Sequence, residues 1–129
     1  MITRYIEKIP DLVNNDSRLV WRGRFLSTAF LLQSESTPYY VKIERGRIAS
    51  IRRGPVSLWP WSFSVKAPED AWLKHWETFP KPGWHDIFAM AKIGEAHIEG
   101  DLHPFMGNLR YVKEVLSSPR AMTGPGHER

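Results

Sequence analysis

The stretch YYVKIERGRIASIRR, residues 39–53, decides the fold of this 129-residue chain. Tyr39, Val41 and Ile43 alternate with more polar neighbours, which is the period of a strand that buries one face. Gly46 then supplies the positive φ that a tight hairpin turn requires, and the strand pattern resumes after it. This stretch therefore predicts two antiparallel strands joined by a tight turn.

Strand and helix patterns follow one another on both sides of this hairpin. Three further segments, rich in β-branched and aromatic residues or alternating apolar with polar ones, predict strands over 25–33, 62–66 and 96–99. Apolar residues at helical spacing predict helices over 1–15, interrupted near Pro10, and over 68–79, 84–91 and about 102–117. The order predicts an α+β domain with five strands.

Three short motifs in this order resemble the sterol carrier protein type 2 (SCP2) family. They are the turn ERGR at 44–47, the strand-to-helix stretch FSVKAPEDAW at 63–72, and AHIEGD at 96–101 followed by an amphipathic helix. The resemblance covers roughly residues 18–119. It implies a five-stranded mixed, largely antiparallel sheet with helices covering one face, and between them an apolar tunnel for fatty acyl chains, sterols or similar ligands.

Length and composition narrow the class of protein. A chain of 129 residues suits one domain, and the absence of cysteine excludes disulfides, thiol nucleophiles and thiolate metal sites. The sequence has neither an apolar run of about 20 residues nor the apolar core of a signal peptide, so we expect a cytoplasmic protein. The expected organisation is an N-terminal helical segment, an SCP2-like lipid-binding domain and a flexible tail, at 1–17, 18–119 and 120–129.

Aromatic residues are unusually abundant, with six Trp, six Phe and four Tyr. Large rings build dense cores or the walls of apolar pockets, and here several lie on helices predicted to cover the same sheet. The resemblance to the SCP2 family favours the pocket, so the main hypothesis is non-catalytic binding or carriage of an apolar small molecule (fatty acyl, sterol-like or another hydrophobic ligand), without a cofactor. The residues expected to line the cavity are Trp72, Trp76, Phe79, Trp84, Phe88, Phe105, Met106 and Leu109.

A small enzyme of the isomerase, cyclase or hydratase type is the alternative. In it, His85 or His97 would act as a general base on a hydrophobic substrate. Adjacent residues on a helix point about 100° apart, so Asp86 is better suited to starting a helix than to orienting His85. The sequence contains no nucleophile elbow, phosphate loop, dinucleotide fingerprint or HExxH motif, so catalysis is the less favoured hypothesis.

Four alternating residues, His97, Glu99, Asp101 and His103, are suitable metal ligands if the segment is extended. Asp101, however, follows a strand and precedes a helix, which is the position of a helix cap. His103 would then lie in the first helical turn, away from the strand. The structural interpretation is favoured, and no metal is expected.

The positive charge is concentrated in one part of the chain. Residues 18–53 contain eight basic and two acidic residues, a net charge of +6, whereas the whole chain carries +4. Tyr40 is the clearest ring on the same strand face as a base, Lys42, and one ring is a poor platform for stacking nucleotides. We therefore expect no nucleic acid as partner. A solvated sheet face is the favoured interpretation, and the charge also allows weak contact with an anionic membrane or an acidic partner protein.

Overall fold

The computed structural model of the protein describes residues 2–54 and 60–123, with the side chain of Thr123 excepted. The strands are β1 (Thr28–Ser34), β2 (Thr37–Glu44), β3 (Arg47–Arg53), β4 (Phe63–Ala67) and β5 (His97–Gly100). The helices are α1 (Ile2–Glu7), α2 (Ile9–Asn14), α3 (Ser17–Arg22), α4 (Glu69–His75), α5 (Ile87–Lys92), α6 (His103–Gly107) and α7 (Leu109–Ser117), followed by a 3₁₀ helix, Ser118–Thr123.

The five strands form one mixed sheet in the order β3-β2-β1-β4-β5. β4 pairs with β1 in parallel, and the other neighbouring strands pair antiparallel. The predicted α+β fold, with a five-stranded, largely antiparallel sheet, is confirmed.

One face of the sheet carries the core. Tyr39, Val41 and Ile43 of β2 are all buried, as their alternation predicts. Neighbouring strands add large side chains to the same buried cluster, namely Phe30, Leu32, Phe63 and Val65. The helices supply the other half of this cluster, so the sheet and the helices enclose one core.

The predicted turn between β2 and β3 is confirmed and is also an anchor point. Glu44 pairs with Arg47, which leaves a two-residue turn in which Gly46 has φ +81°. The Gly46 carbonyl accepts a hydrogen bond of 2.6 Å from the buried Tyr111 hydroxyl of α7. The Gly46 N–H donates to the carbonyl of Leu26 at 3.1 Å. The turn is therefore held from two sides by distant parts of the chain.

The N-terminal residues form three short helices. α1 ends at Glu7 and α2 begins at Ile9 with Pro10 in its first turn, so the interruption predicted near Pro10 is confirmed. The helix α3 is not predicted by the apolar pattern. It begins where Asp16 accepts a hydrogen bond of 3.2 Å from the Leu19 N–H, which caps its first turn.

The later helices differ from the predicted spans. α4 ends at His75 and α5 begins at Ile87, so both are shorter than the apolar spacing suggests. The single helix expected over about 102–117 is wrong, because Asn108 leaves helical geometry with φ −134° and ψ 39° and separates α6 from α7. Glycine and asparagine are weak helix formers, which is consistent with a break at Gly107–Asn108.

The predicted division of the chain into residues 1–17, 18–119 and 120–129 stays a prediction. Ile6, Ile9 and Val13 of the N-terminal segment belong to the same buried cluster as the sheet. The 3₁₀ helix continues to Thr123, beyond the expected start of a tail at 120, and residues 124–129 lie outside the described part. Within the described ranges, every helix is too short or too polar to cross a bilayer.

Candidate functional site

A row of four phenylalanine rings crosses the space between the sheet and the helices. Phe30 of β1 stacks on Phe63 of β4 with their centres 5.0 Å apart. Phe105 of α6 lies 5.0 Å from Phe63, and Phe88 of α5 lies 5.3 Å from Phe105. Phe30, Phe63 and Phe105 are fully buried, whereas Phe88 is only partly buried. The row therefore runs from the sheet to the edge of the core.

A second aromatic group lies on α4. Trp72 and Trp76 stack with centres 5.4 Å apart, and Tyr5 of α1 contacts Trp76 at 5.6 Å. The Trp72 indole donates to the Gln33 carbonyl at 2.9 Å, and the Trp76 indole donates to the Leu116 carbonyl at 2.8 Å. Both large side chains are thus buried without an unsatisfied N–H. We call these rings and the phenylalanine row together the aromatic layer.

Six of the eight residues expected to line a cavity lie in or against this layer. Trp72, Trp76 and Phe105 are fully buried, and three others pack partly buried against the core, namely Trp84, Phe88 and Leu109. The remaining two residues are set apart at the surface. Five clefts on the surface of the described residues have volumes of about 220 to 480 Å³, and other side chains line them. It therefore stays a prediction that these six residues line a ligand cavity.

Phe79 and Met106 are the two exceptions, with exposed fractions of 86% and 55%. Phe79 is exposed because α4 ends at His75, so the helical spacing that aligned it with Trp72 and Trp76 no longer applies. Met106 lies on α6, which ends one residue later. Its expected place on one long apolar stripe is lost at the same break that separates α6 from α7.

His75 is the site residue that sequence reasoning missed. It ends α4, is only 2% exposed, and its ring lies 6.2 Å from the Trp72 ring. Its Nδ1 lies 2.8 Å from the Trp84 carbonyl oxygen, and its Nε2 is buried without a partner among the described residues. The available signal was its spacing, since a residue three positions after Trp72 shares the buried helical face.

The protonation of His75 follows from its surroundings. Burial lowers its pKa from 6.5 to about 4, the Trp84 carbonyl acts in the opposite direction, and the Arg120 cation lowers it further. The imidazole is therefore neutral at pH 7. Because a carbonyl oxygen can only accept, Nδ1 carries the proton and Nε2 presents a lone pair.

Arg120 of the 3₁₀ helix holds the backbone around this histidine. Its guanidinium donates to the His75 carbonyl through Nε at 3.1 Å and Nη2 at 2.7 Å, and Nη2 also donates to the His85 carbonyl at 3.2 Å. These bonds satisfy a carbonyl at the end of α4 and join it to the segment before α5. The position of the His75 ring is consequently fixed by three separate parts of the chain.

A polar cleft of about 290 Å³ has His75 in its wall. Lys113 of α7 donates to Asp86 at 2.6 Å, and Arg22 pairs with Glu114. Asp86 also accepts from the Phe88 N–H at 2.7 Å, so its predicted role at a helix start is confirmed. Partial burial raises the pKa of Asp86, but the contacts with Lys113 and the Phe88 N–H outweigh it and place the pKa below its ordinary value.

The histidines of the enzymatic alternative lie at the surface, His85 in the lining of this polar cleft and His97 on β5. His85 and His97 are both exposed, so neither is enclosed with an apolar substrate. His75 is enclosed, but an imidazole with a pKa of about 4 is a weak general base at neutral pH. The structure gives the enzymatic alternative no support.

The segment considered as a metal site, residues 97–103, contains a hydrogen bond that supports the start of a helix. Asp101 accepts a hydrogen bond of 3.1 Å from the His103 N–H at the start of α6, although Leu102, and not Asp101, occupies the N-cap position. In the described part of the chain, no three His, Asp or Glu side chains come close enough together to hold a metal ion.

A basic and aromatic patch, formed by Trp21, Arg24 and Phe25, lies on the surface between α3 and β1. The Arg24 guanidinium carbon is 3.5 Å from the centre of the Trp21 ring and 4.5 Å from that of Phe25. The two rings are 65% and 85% exposed. The strand pattern drew attention only to Tyr40, so the structure adds two exposed rings to the basic region.

The fold and the aromatic layer together define an α+β domain with helices packed over one face of a mixed sheet. No family model and no curated protein matches the sequence. Among solved structures, a crystal structure of sterol carrier protein 2 is similar, with a TM-score of 0.70 and 9% identity over 91% of this chain and 94% of that one.

Two other solved structures share this fold. A conserved hypothetical protein of Thermus thermophilus, described as a candidate sterol carrier protein, has a TM-score of 0.63 and 10% identity over 95% of this chain and 89% of that one. A UbiJ-SCP2 ubiquinone synthesis protein has a TM-score of 0.59 and 14% identity over 96% and 93%. The chain has the SCP2-like fold, as the resemblance of its motifs implies.

Proposed function

We propose that this chain is a non-catalytic binding domain for an apolar small molecule, such as a fatty acyl chain or a sterol-like ligand, held between the sheet and the helices. The observation that carries the proposal is the phenylalanine row, which leads from partly buried Phe88 to fully buried Phe30. A solved protein of the same fold is named for carrying sterols, which supports an apolar ligand here.

The proposed ligand enters where the aromatic layer approaches the surface. Phe88 and Trp84 are partly buried, so they can move aside with less loss of packing than fully buried rings. Each methylene buried against such rings contributes roughly 0.8 kcal/mol, so an eight-carbon chain gains about 6 kcal/mol before ordering costs. The lining residues that we propose are Trp72, Trp76, Trp84, Phe88, Phe105 and Leu109.

A titration tests this proposal. We expect a fluorescent fatty acid to quench the tryptophan emission saturably, because at least three tryptophans lie in or beside the layer. Phe88→Ala should weaken binding about tenfold, equivalent to about 1.4 kcal/mol, since it removes the first ring of the row. Ile93→Ala is the control, because Ile93 follows the same helix and is 51% exposed. Absence of binding below about 1 mM in the unmodified protein would contradict the proposal.

The proposal also includes a contact between the protein and a membrane surface. Arg45 and Gly46 bond to the segment that carries the patch, through the Ser27 hydroxyl at 3.0 Å and the Leu26 carbonyl at 3.1 Å. The exposed Arg45 and Arg47 of this turn thus add charge near Trp21, Arg24 and Phe25. Aromatic rings favour the bilayer interface and arginines favour anionic headgroups, so we propose an anionic bilayer surface as the partner.

Vesicle sedimentation tests this contact. We expect the protein to associate with vesicles of phosphatidylcholine and phosphatidylglycerol, less with phosphatidylcholine alone, and not at high salt. The double variant Trp21→Ala/Phe25→Ala should lose most of this association, whereas Phe79→Ala should retain it although Phe79 is as exposed as Phe25. Selective, salt-resistant binding of single-stranded oligonucleotides, or binding to an acidic protein without vesicle binding, would overturn the assignment.

A further inference from the structure

One buried polar atom in the core lacks a partner. Among the described residues, Nε2 of His75 is the buried side-chain nitrogen or oxygen that has no hydrogen bond. The neighbouring polar groups are satisfied, since the indoles of Trp72 and Trp76 both donate to carbonyl oxygens. Leaving a buried acceptor unpaired is unfavourable, so such an atom in a well-paired core points to a missing donor.

The chemistry of that missing donor follows from the ring's tautomer. The Trp84 carbonyl at 2.8 Å requires a proton on Nδ1, and Nε2 of the neutral ring is therefore an acceptor. The Arg120 guanidinium lies 3.5 Å from Nδ1, and it already donates to the carbonyls of His75 and His85. A group that satisfies Nε2 must bring an O–H or N–H of its own.

The cleft beside His75 favours an uncharged group. Its two acids are each engaged with a base, Asp86 with Lys113 and Glu114 with Arg22. Arg110 also lines the cleft but is exposed, so solvent screens its charge. The Arg120 cation beside the ring already donates to the carbonyls of His75 and His85. A fully ionised anionic headgroup has no proton to give to the Nε2 lone pair, whereas a hydroxyl can donate to it.

The same cleft adjoins the aromatic layer. Lys113, which binds Asp86 in the cleft wall, also lies with its ammonium nitrogen 5.4 Å from the centre of the Phe88 ring. Phe88 is the first ring of the row that leads inward to Phe30. The His75 ring itself lies 6.2 Å from the Trp72 ring. A polar head near His75 and an apolar tail in the layer can therefore belong to one molecule.

We propose that Nε2 of His75 accepts a hydrogen bond from the hydroxyl head of an amphiphilic ligand whose apolar part lies in the aromatic layer. The ligand class is an uncharged lipid alcohol, either a long-chain primary alcohol or a sterol-like alcohol. This inference rests on the proposed function and adds the group that orients the ligand. His75 selects the hydroxyl, and the layer supplies affinity for the apolar part.

A matched pair of probes tests the inference. We expect a long-chain primary alcohol to displace a bound fluorescent fatty acid about tenfold more effectively than its methyl ether, because the ether cannot donate to Nε2. His75→Phe should remove this preference, since phenylalanine keeps a ring but has no acceptor. His85→Phe is the control, because His85 is an exposed residue of the same cleft.

Nitrogen-15 NMR of the unmodified protein gives a second readout if His75→Phe fails to fold. The alcohol should shift the Nε2 resonance of His75, and the methyl ether should leave it in place. Equal displacement by both probes together with an unmoved Nε2 resonance overturns the hydroxyl site and leaves the proposed function intact. Failure of the fatty acid and both probes to bind overturns the proposed function itself.

Discussion

Gly46→Ala is expected to destabilise the protein by about 3–5 kcal/mol, the sum of three unfavourable effects. At φ +81° an L side chain is strained. A Cβ there would lie 2.4 Å from the Val20 carbonyl oxygen and 2.7 Å from the Gly23 carbonyl carbon, which are backbone atoms that cannot rotate away. Moving the turn would also disturb the Tyr111 hydrogen bond to the Gly46 carbonyl. Urea denaturation followed by circular dichroism measures the change.

Gly94→Ala separates the backbone strain from the other two effects. Gly94 has nearly the same φ, +82°, but a Cβ there would meet nothing within 4 Å. Its substitution should therefore cost only the backbone strain, about 1–2 kcal/mol. If the two variants lose the same stability, the close contact of the β2–β3 turn with α3 does not contribute, and the structural account of this anchor is wrong.

The strands were the most predictable part of the fold, because their signals are local. The alternation of Tyr39, Val41 and Ile43 sets the buried face, and Gly46 sets the turn. The parallel pairing of β4 with β1 has no comparable local signal. It depends on which strand edges meet after the chain has crossed the sheet. The resemblance to the SCP2 family implied a mixed sheet, but not which strands run parallel.

Helix ends were less predictable because apolar spacing continues beyond the hydrogen-bonded turns. Trp72 and Trp76 share one buried face, but Phe79 extends the same spacing after α4 has ended and is exposed. The capping residue Asp86 predicted a helix start more accurately than apolar spacing predicted helix ends. Asp86 was assigned to a helix start from its chemistry, and it accepts a hydrogen bond from the Phe88 N–H there.

The polar part of the candidate site required the tertiary structure. His75 gains its neutral, fixed tautomer from the Trp84 carbonyl and its rigid backbone from Arg120, 45 residues later in the chain. Neither partner lies on α4, so helical spacing could suggest that His75 is buried but not what it bonds to. The exposed ring of Trp21 was missed because α3 was not predicted, and that of Phe25 because it was assigned to a strand that begins only at Thr28.

Acidification from pH 7 to pH 4 is expected to lower the free energy of unfolding by about 3 kcal/mol through His75. Burial depresses its pKa from 6.5 in the unfolded chain to about 4 in the folded protein. Between these values the unfolded state binds a proton that the folded state does not, so stability is complete above pH 6.5 and declines as the pH falls. Below about pH 4 both states are protonated and this contribution levels off.

His75→Phe provides the control for this pH dependence. The variant lacks the titrating group, so its free energy of unfolding should fall less between pH 7 and pH 4 than that of the unmodified protein, whatever the two values are at pH 7. Asp86 affects the free energy of unfolding in a different pH range, because its stabilising effect is lost as the pH falls below 3.8, the ordinary pKa of this carboxyl group. Parallel pH curves for the two proteins would show that His75 binds its proton equally well before and after unfolding. Such a result would contradict a buried neutral imidazole, and with it the acceptor on which the proposed hydroxyl site depends.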